Sequence, residues 1–590
     1  MSLLSIRKDG LYIDNEPFML VSGDIHYFRS FKSSLKRRLE YAKAFGLTTI
    51  QTYVPWNLHE PESNQFCFEG LCDLASFLEM AKELDLKVLL RPAPYICSEC
   101  DMGGLPYWLL KEDIALRCAD EKFLFYVKRY YEKLVPVFLP YLSTNGGPII
   151  AVTIENEYGS YGNDTEYLKA IQKMLIDLGV DVPFYTTDGY DPNMLNYGTV
   201  EGVWAGANYR VESEIALKAL NEFQPDKPKL IGEYWSGRAI YWDEEFKRRN
   251  IEDVANGFKE ALENGGLMNF YMFSGGTNFG FFNGANFGKT FGALPETPVR
   301  YIAHTTSYDE DSLLDERGVP TEKYFACRKV LFDFLGKEAP PMPEFDTALQ
   351  KIEDISFNKG ASLWDWADYS KAYKSIVPLT MEKMDQDFGF ALYKTEFIGC
   401  GLKMKLKIDA LRDRALIFVD RKYVGTLFRE RDDEIFIETE KGKKIQLEIL
   451  VENMGRINYG PKLCEKKGID GGVFLDHVQL FHWECLPIRL KNFDDVPFKE
   501  QTEFNDACFL KGEFKAEEGR DIILDMSKMT KGVCFVNGFN LGRYWNRGPQ
   551  LALYLPGELV KETNTIEIFE LYGADDTATV KSGEKILFER

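Results

Sequence analysis

Histidine is scarce in this chain, five in 590 residues. That scarcity argues against a metal centre built on imidazoles, and no metal or other cofactor is expected. Basic residues are outnumbered, 71 Lys and Arg against 92 Asp and Glu, for a net charge of −21. Such a balance disfavours nucleic acid or an anionic membrane as the main partner and suits a neutral ligand. No stretch approaches the roughly 20 apolar residues of a membrane-spanning helix. The opening MSLLSIRKDGLYIDNEPF lacks the basic start and apolar core of a secretory signal, so a cytoplasmic location is expected. The eleven cysteines are odd in number and scattered. Their one close pair, Cys97 and Cys100, has no second pair or neighbouring histidine to complete a site, and free thiols in a reducing compartment are expected. There is also no phosphate-cradling glycine loop, no serine nucleophile elbow, no short-period repeat and no low-complexity segment.

What is present is ordinary in bulk, 45% hydrophobic and 28% charged, with a high aromatic share of 14%. Aromatic rings fill cores, and clustered at strand ends they also suit the apolar faces of sugars. A chain of 590 residues exceeds what one core usually serves, so two to four domains are expected. Strand-like runs fall at 17–27, 49–56, 87–95, 148–157, 183–189, 200–206, 228–235 and 266–276. Apolar residues at helical spacing lie between them, at 35–46, 74–85, 123–138, 167–179 and 254–265, and again at 325–336. Eight strands alternating with helices predict a (β/α)8 TIM barrel over residues 1–336, with the fifth and sixth units the poorest. The proline cluster of GKEAPPMPEF (336–345) ends that pattern. Residues 337–385 read as a linker with a β-strand segment. Short alternating runs such as 401–408, 415–420, 444–450 and 473–481 make 386–490 a first all-β domain, and 491–590 a second, of sandwich or jelly-roll type.

Polar side chains gather where the barrel strands end, which is where barrels build their sites. The stretch GGPIIAVTIENEY (146–158) breaks and turns at Gly146, Gly147 and Pro148, runs apolar from Ile149 to Ile154, then stops in Glu155, Asn156 and Glu157. Carboxylates at the end of a buried strand are costly without partners or a task. A second isolated carboxylate, Glu233, ends the apolar run of IGEYWSG (231–237). Other strand ends carry Asp24, His26, Tyr53, Asn57, His59, Arg91, Tyr95, Glu99, Asp188, Trp235 and Asn278. His26, His59 and Arg91 read singly as core hydrogen-bonders. The set as a whole, carboxylates without a metal cage together with amides and rings, is what a glycosidase needs.

On these residues the chain resembles glycoside hydrolase family 35, the β-galactosidases, over essentially its whole length. The resemblance is carried by GGPII-x-x-x-x-ENEYGSYG (146–162), IQTYVPWNLHEPE (50–62), LRPAPYIC (90–97), MGGLPYWLL (102–110), YTTDG (185–189), YMFSGGTNFG (271–280) and TSYD (306–309). VENMGRINYG (451–460) and VNGFNLGRYW (536–545) extend it into the β modules. It implies a retaining, exo-acting removal of terminal β-linked galactose. Glu157 would be the general acid/base and Glu233 the nucleophile, about 5–5.5 Å apart. Asn156 would hold the 2-hydroxyl. Tyr53, the backbone near Ser98, Glu99, Tyr271 and Tyr308 would surround the other hydroxyls, with Trp235 as an aromatic wall. Three positions depart from the family pattern: Thr153 for a glutamine, Arg238 for an aromatic, and Glu310 for the tyrosine of S-Y-D-Y-D. Glu310 is kept in the substrate-binding set, and its extra acid opens the alternative of an exo-β-glucosaminidase or other β-glycosidase. A non-catalytic carbohydrate-binding protein, working through its β modules, is the reading from another class. Tyr459 of NYG is expected to reach over the aglycone side. Glu155 is expected to share a strand face with Glu157 but to lie deeper. The expected partner is a β-galactoside oligosaccharide or glycan, and the chain a monomer or homodimer.

Overall fold

A computed structural model describes residues 3–289, 298–575 and 577–586. Eight parallel strands, Val21–Gly23, Thr49–Tyr53, Lys87–Arg91, Ile149–Thr153, Phe184–Gly189, Trp204–Tyr209, Lys229–Trp235 and Gly266–Tyr271, form the barrel wall. Each pairs with its sequence neighbour, and the eighth returns to the first. The ring closes where Asp24 bridges Gln51 in parallel and Ile25 N donates to Gln51 O at 3.0 Å. The strands are buried on both faces, which is why they read as near-continuous apolar runs.

Two strands depart from expectation by more than a trimmed end. The run at 17–27 divides: Glu16–Phe18 joins Leu4–Arg7 and Gly10–Ile13 in a separate three-stranded sheet, and only Val21–Gly23 enters the barrel. The sixth strand lies at Trp204–Tyr209, a few residues beyond the expected 200–206. The helices expected from 123, 167, 254 and 325 begin two or three residues earlier, at side-chain caps, and the one expected from 74 begins there. Asp73, Asp120, Asp164, Asn250 and Thr321 each accept a backbone N–H of the first turn. The fifth and sixth units close with Pro192–Gly198 and Ser213–Phe223, short helices not picked out from the sequence.

The all-β part is less separable than its sequence suggests. Its first unit joins a six-stranded sheet, from Tyr373–Ser375 to Lys422–Phe428, to a four-stranded one around Leu406, Ile417, Leu447 and Trp483. The run at 473–481 is a tight hairpin, Val473–Leu475 and Val478–Gln479, turned at Asp476 with φ 51°. The second unit is an eight-stranded sheet into which Ile355–Ser362 inserts, between Cys508–Lys515 and Thr579–Ser582. The segment read as a linker therefore supplies strands to both units. One apolar cluster joins them to the barrel: Phe281, from the excursion after the eighth strand, packs with Phe390, Leu416, Phe509 and Phe569. Buried ion pairs cross the same seam, among them Arg456 with Asp101 at 3.3 Å. Among the described residues no helix is long and apolar enough to cross a membrane.

Candidate active site

Glu233 sits on a bulge. Pairing of the seventh strand with the sixth runs Ile231 to Ala207 and then Glu233 to Asn208, leaving Gly232 as the extra residue. The displaced Gly232 carbonyl accepts from Asn269 Nδ2 at 2.8 Å and Gln51 Nε2 at 3.3 Å, polar groups of the barrel interior. A Cβ at position 232 would lie 2.1 Å from the Thr187 methyl, so only glycine fits. The bulge aims the Glu233 carboxylate at three donors. Tyr53 Oη donates to Oε1 at 2.6 Å and Trp235 Nε1 to Oε2 at 3.0 Å, while Arg91 Nη1 lies 3.4 Å from Oε1.

Glu157 is positioned by a break rather than by strand alternation. The fourth strand stops at Thr153, and Glu157 adopts φ 49°, ψ 37°, a left-handed conformation uncommon for any residue but glycine. Its N–H donates to Thr187 O at 3.2 Å, and its carbonyl accepts from Ser160 Oγ at 2.8 Å. This turn corrects the expectation that Glu155 and Glu157 share a face. Glu155 instead faces Arg117, which donates to both its oxygens at 2.9 Å, and Tyr167 Oη donates to it at 3.1 Å. The Glu157 carboxyl accepts from Asn208 Nδ2 at 3.0 Å. Burial, and next the charge of Glu233, push it up to about 8, against the pull of the Asn208 hydrogen bond. Asp188 anchors the turn by accepting from Gly159 N at 2.7 Å, and burial pushes its carboxyl up to about 7.

Arg91, read singly as a core hydrogen-bonder, connects the two halves of the site. Its Nη2 donates to Asn156 Oδ1 and, at 2.7 Å, to Thr187 Oγ1, while its Nη1 faces Glu233. Histidines 26 and 59 differ from each other. His59 pairs with Tyr27 Oη at 2.6 Å and Cys67 O at 2.8 Å, away from the strand ends, whereas the His26 ring packs against Tyr53, Tyr271 and Tyr308.

The loop after the third strand brings Ser98 and Glu99 to the same mouth. Cys97, Ser98 and Glu99 all have positive φ, 56°, 47° and 51°. Arg29 Nη2 holds the Ser98 carbonyl, and Arg29 itself lies 3.6 Å over the Tyr308 ring. Glu99 Oε2 accepts from Tyr271 Oη at 2.8 Å and from Tyr308 Oη.

Ser98, Glu99, Asn156, Glu157, Glu233, Trp235, Tyr271, Glu310 and Tyr459 line one cavity of about 310 Å3. That volume is at the small end for ligand pockets, a fit for one ring with its neighbour at the mouth. Tyr53 and Tyr308 stand directly behind this wall, through Glu233 and Glu99. Arg238 and Glu310, two of the departing positions, both line the cavity, and Arg238 N donates to Glu310 O at 3.0 Å. Burial, followed by the charge of Glu99, pushes the Glu310 carboxyl well above the usual range. Thr153, the third departure, is fully buried in its strand.

Arg210, which also lines the cavity, and Asn208, which donates to Glu157, escape a sequence reading that ends the sixth strand at 206. An amide right after the small, buried residues Ala205–Ala207 was the available signal. Among the described residues no three His, Cys, Asp or Glu side chains are grouped so as to hold a metal ion.

The family described as Glycosyl hydrolases family 35 matches residues 10–334. The beta-galactosidase first all-beta domain matches 378–489, and the beta-galactosidase galactose-binding domain 507–565. Beta-galactosidase 17 of Arabidopsis thaliana is 37% identical over 96% of this chain and 87% of its own. A beta-galactosidase of Xanthomonas manihotis is 38% identical over 92% and 89%, and that of Homo sapiens 36% over 96% and 87%.

Proposed function

This chain belongs to glycosyl hydrolase family 35, and from that premise we propose that its barrel removes terminal β-linked galactose with retention at the anomeric carbon. It is a glycoside hydrolase of the β-galactosidase type. The observation that carries the mechanism is the opposite treatment of two carboxyls in one cavity. Glu233 is gripped by Tyr53, Trp235 and Arg91, whereas Glu157, half-buried, has a single amide donor and is pushed up to about 8. That division suits a nucleophile and a proton donor.

In the first step a Glu233 oxygen bonds to the anomeric carbon as the glycosidic bond breaks, and the Glu157 proton goes to the departing oxygen. In the second, Glu157 takes a proton from water, whose oxygen displaces Glu233. Asn156, oriented by Arg91, is set to hold the 2-hydroxyl, a contact that strengthens in the oxocarbenium-like transition state. Glu99 with Tyr271 and Tyr308 forms a hydroxyl-binding wall.

A panel of linkage-defined galactosyl disaccharides, with para-nitrophenyl galactoside and glucosaminide beside it, tests the reading. Release of galactose as the β-anomer is expected, with the glucosaminide the poorer substrate. Sugar binding without turnover, or preference for the glucosaminide, would overturn it.

Tyr459, 42% exposed and contributed by the first all-β unit, is proposed as the aglycone platform. Tyr459→Ala should lower kcat/KM for disaccharides by about 10-fold, the value of one lost stacking contact. Galactose inhibition, which reports the first sugar site alone, should not change; equal losses in both would remove Tyr459 from the aglycone side. Gly232→Ala should overpack the bulge, costing about 1–3 kcal/mol of stability. Its kcat should fall further than that loss of folded enzyme explains, as melting and turnover measured on one preparation would reveal. The eleven cysteines are all free, which fits a reducing compartment. The cytoplasm is the location proposed, and fractionation of producing cells would test it.

A further inference from the structure

The loop that carries Ser98 and Glu99 is held from the barrel side by Arg29 on the Ser98 carbonyl, by Tyr271 and Tyr308 on Glu99 and by Asn57 on the Asp101 carbonyl. Cys97, Ser98, Glu99 and Met102 all occupy the left-handed region at φ 47–56°, a conformation that persists only where surroundings impose it. A second set of holds comes from the first all-β unit. Arg456 N donates to Asp101 Oδ1 at 2.6 Å, and Arg456 Nη1 lies 3.3 Å from Asp101 Oδ2. Tyr95 Oη donates to Asn458 O at 2.6 Å, and Asn458 Nδ2 reaches Cys97 Sγ at 3.4 Å. Arg456 is in turn fixed by Glu382 Oε1 at 2.8 Å and Asp387 O at 2.6 Å. Arg456, Asp101 and Glu382 are each no more than 1% exposed.

Between loop and β unit runs the barrel's own segment 282–285. Asp101 N donates to Phe282 O at 2.9 Å, Gly284 N to Glu99 O at 2.8 Å and Ala285 N to Arg456 O at 3.0 Å. The three backbones touch. A Cβ at Gly284 would lie 2.5 Å from Cys100 O, one at Gly455 2.5 Å from Asn283 O, and one at Gly103 2.9 Å from Asn458 O.

We infer that Arg456, acting through Asp101, is a positioning residue for galactoside hydrolysis, so that the first all-β unit is a built part of the sugar pocket rather than an appended module. The pair holds the 97–104 loop in the conformation that presents Glu99 to the substrate's hydroxyls. Asp101 and Arg456 touch no substrate themselves. Their effect should therefore pass through Glu99 and show on substrates that use it. This rests on the β-galactosidase reading above.

Removing Arg456 would leave Asp101 and Glu382 as buried, unpaired charges, and such a variant could fail to fold. The informative change is Asp101→Asn, which keeps the shape and an acceptor for Arg456 N but loses the charge. In the full-length enzyme it should cut kcat/KM for para-nitrophenyl galactoside by about 10–100-fold, the penalty for roughly 1 Å of misplacement. A cycle with Glu99→Gln separates positioning from mere destabilisation. If Asp101 acts through Glu99, Asp101→Asn should cost less than about 2-fold once Glu99 is glutamine. If both backgrounds lose activity by the same factor, or if Asp101→Asn alone is as active as wild type, the inference fails. Wild-type enzyme inactive on galactosides would instead sink the underlying reading, so the two failures are distinct.

Discussion

Glu233→Gln is expected to abolish turnover, lowering kcat by roughly 10^4–10^6-fold, the scale on which loss of a covalent nucleophile registers. Glutamine has the carboxylate's shape but cannot bond to the anomeric carbon as a good leaving group for the second step. The pocket around it should survive: Tyr53 and Trp235 donate from fixed positions, and only one of them meets an amide nitrogen in place of an oxygen, a mismatch worth about 1–3 kcal/mol. Galactose should still bind, and melting should shift by only a few degrees. Glu233→Ala supplies the stereochemical check. Azide entering the space vacated by the carboxylate would attack from that face and give the α-galactosyl azide from an activated aryl galactoside. Retained turnover within tenfold of wild type, or a β-configured azide, would take the nucleophile's role from Glu233. Gly232→Ala, which keeps the Glu233 carboxylate, would not respond to azide, so loss through the bulge and loss of the nucleophile are told apart.

The barrel was legible because each strand is a short apolar run with a polar terminus, and the caps and glycines that punctuate it are local. Ile149–Thr153 and Lys229–Trp235 announced themselves in this way. What could not be read were features decided across the sheet. The bulge at Gly232 is visible only against Ala207 and Asn208 on the neighbouring strand. The left-handed turn that separates Glu157 from Glu155 depends on Thr187 and Arg117, 30 and 38 residues away or more, and no alternation rule contains it. Arg91 looked like a core hydrogen-bonder because a single strand-end arginine has no direction in a sequence; its reach to both Glu233 and Asn156 is tertiary. Ile355–Ser362 failed for a related reason, since its partner strand lies some 150 residues later, at Cys508–Lys515. The identities of the acidic pair came from a long local motif, but the physical difference between them comes from their neighbours.

That difference makes Glu157→Gln the sharper experiment. With a disaccharide, whose leaving oxygen needs a proton, loss of a general acid should cost about 10^2–10^4-fold in kcat/KM. With a dinitrophenyl galactoside, which leaves unaided, the first step should barely change, and the slow second step should appear as a burst of dinitrophenol. The pH profile follows from the raised carboxyl. Glu157 is active as the acid below about 8 and loses its proton above, so kcat/KM should fall as pH rises through that value, and Glu157→Gln should lack this alkaline limb. When Glu233 bonds to the sugar its charge disappears, and with it the second cause of the upward shift, so Glu157 can release its proton and become the base for water. Stability falls in the same direction. A carboxyl with an ordinary value of 4.5 when unfolded and about 8 when folded costs stability as pH climbs between the two. Glu157→Gln, retaining the Asn208 contact, should therefore melt higher than wild type at pH 9 and near it at pH 4. A variant that is nearly inactive yet more stable in alkali would mark a group kept for chemistry at the expense of the fold. Equal melting of the two proteins at pH 9, with the alkaline limb still present, would mean that another group supplies the proton.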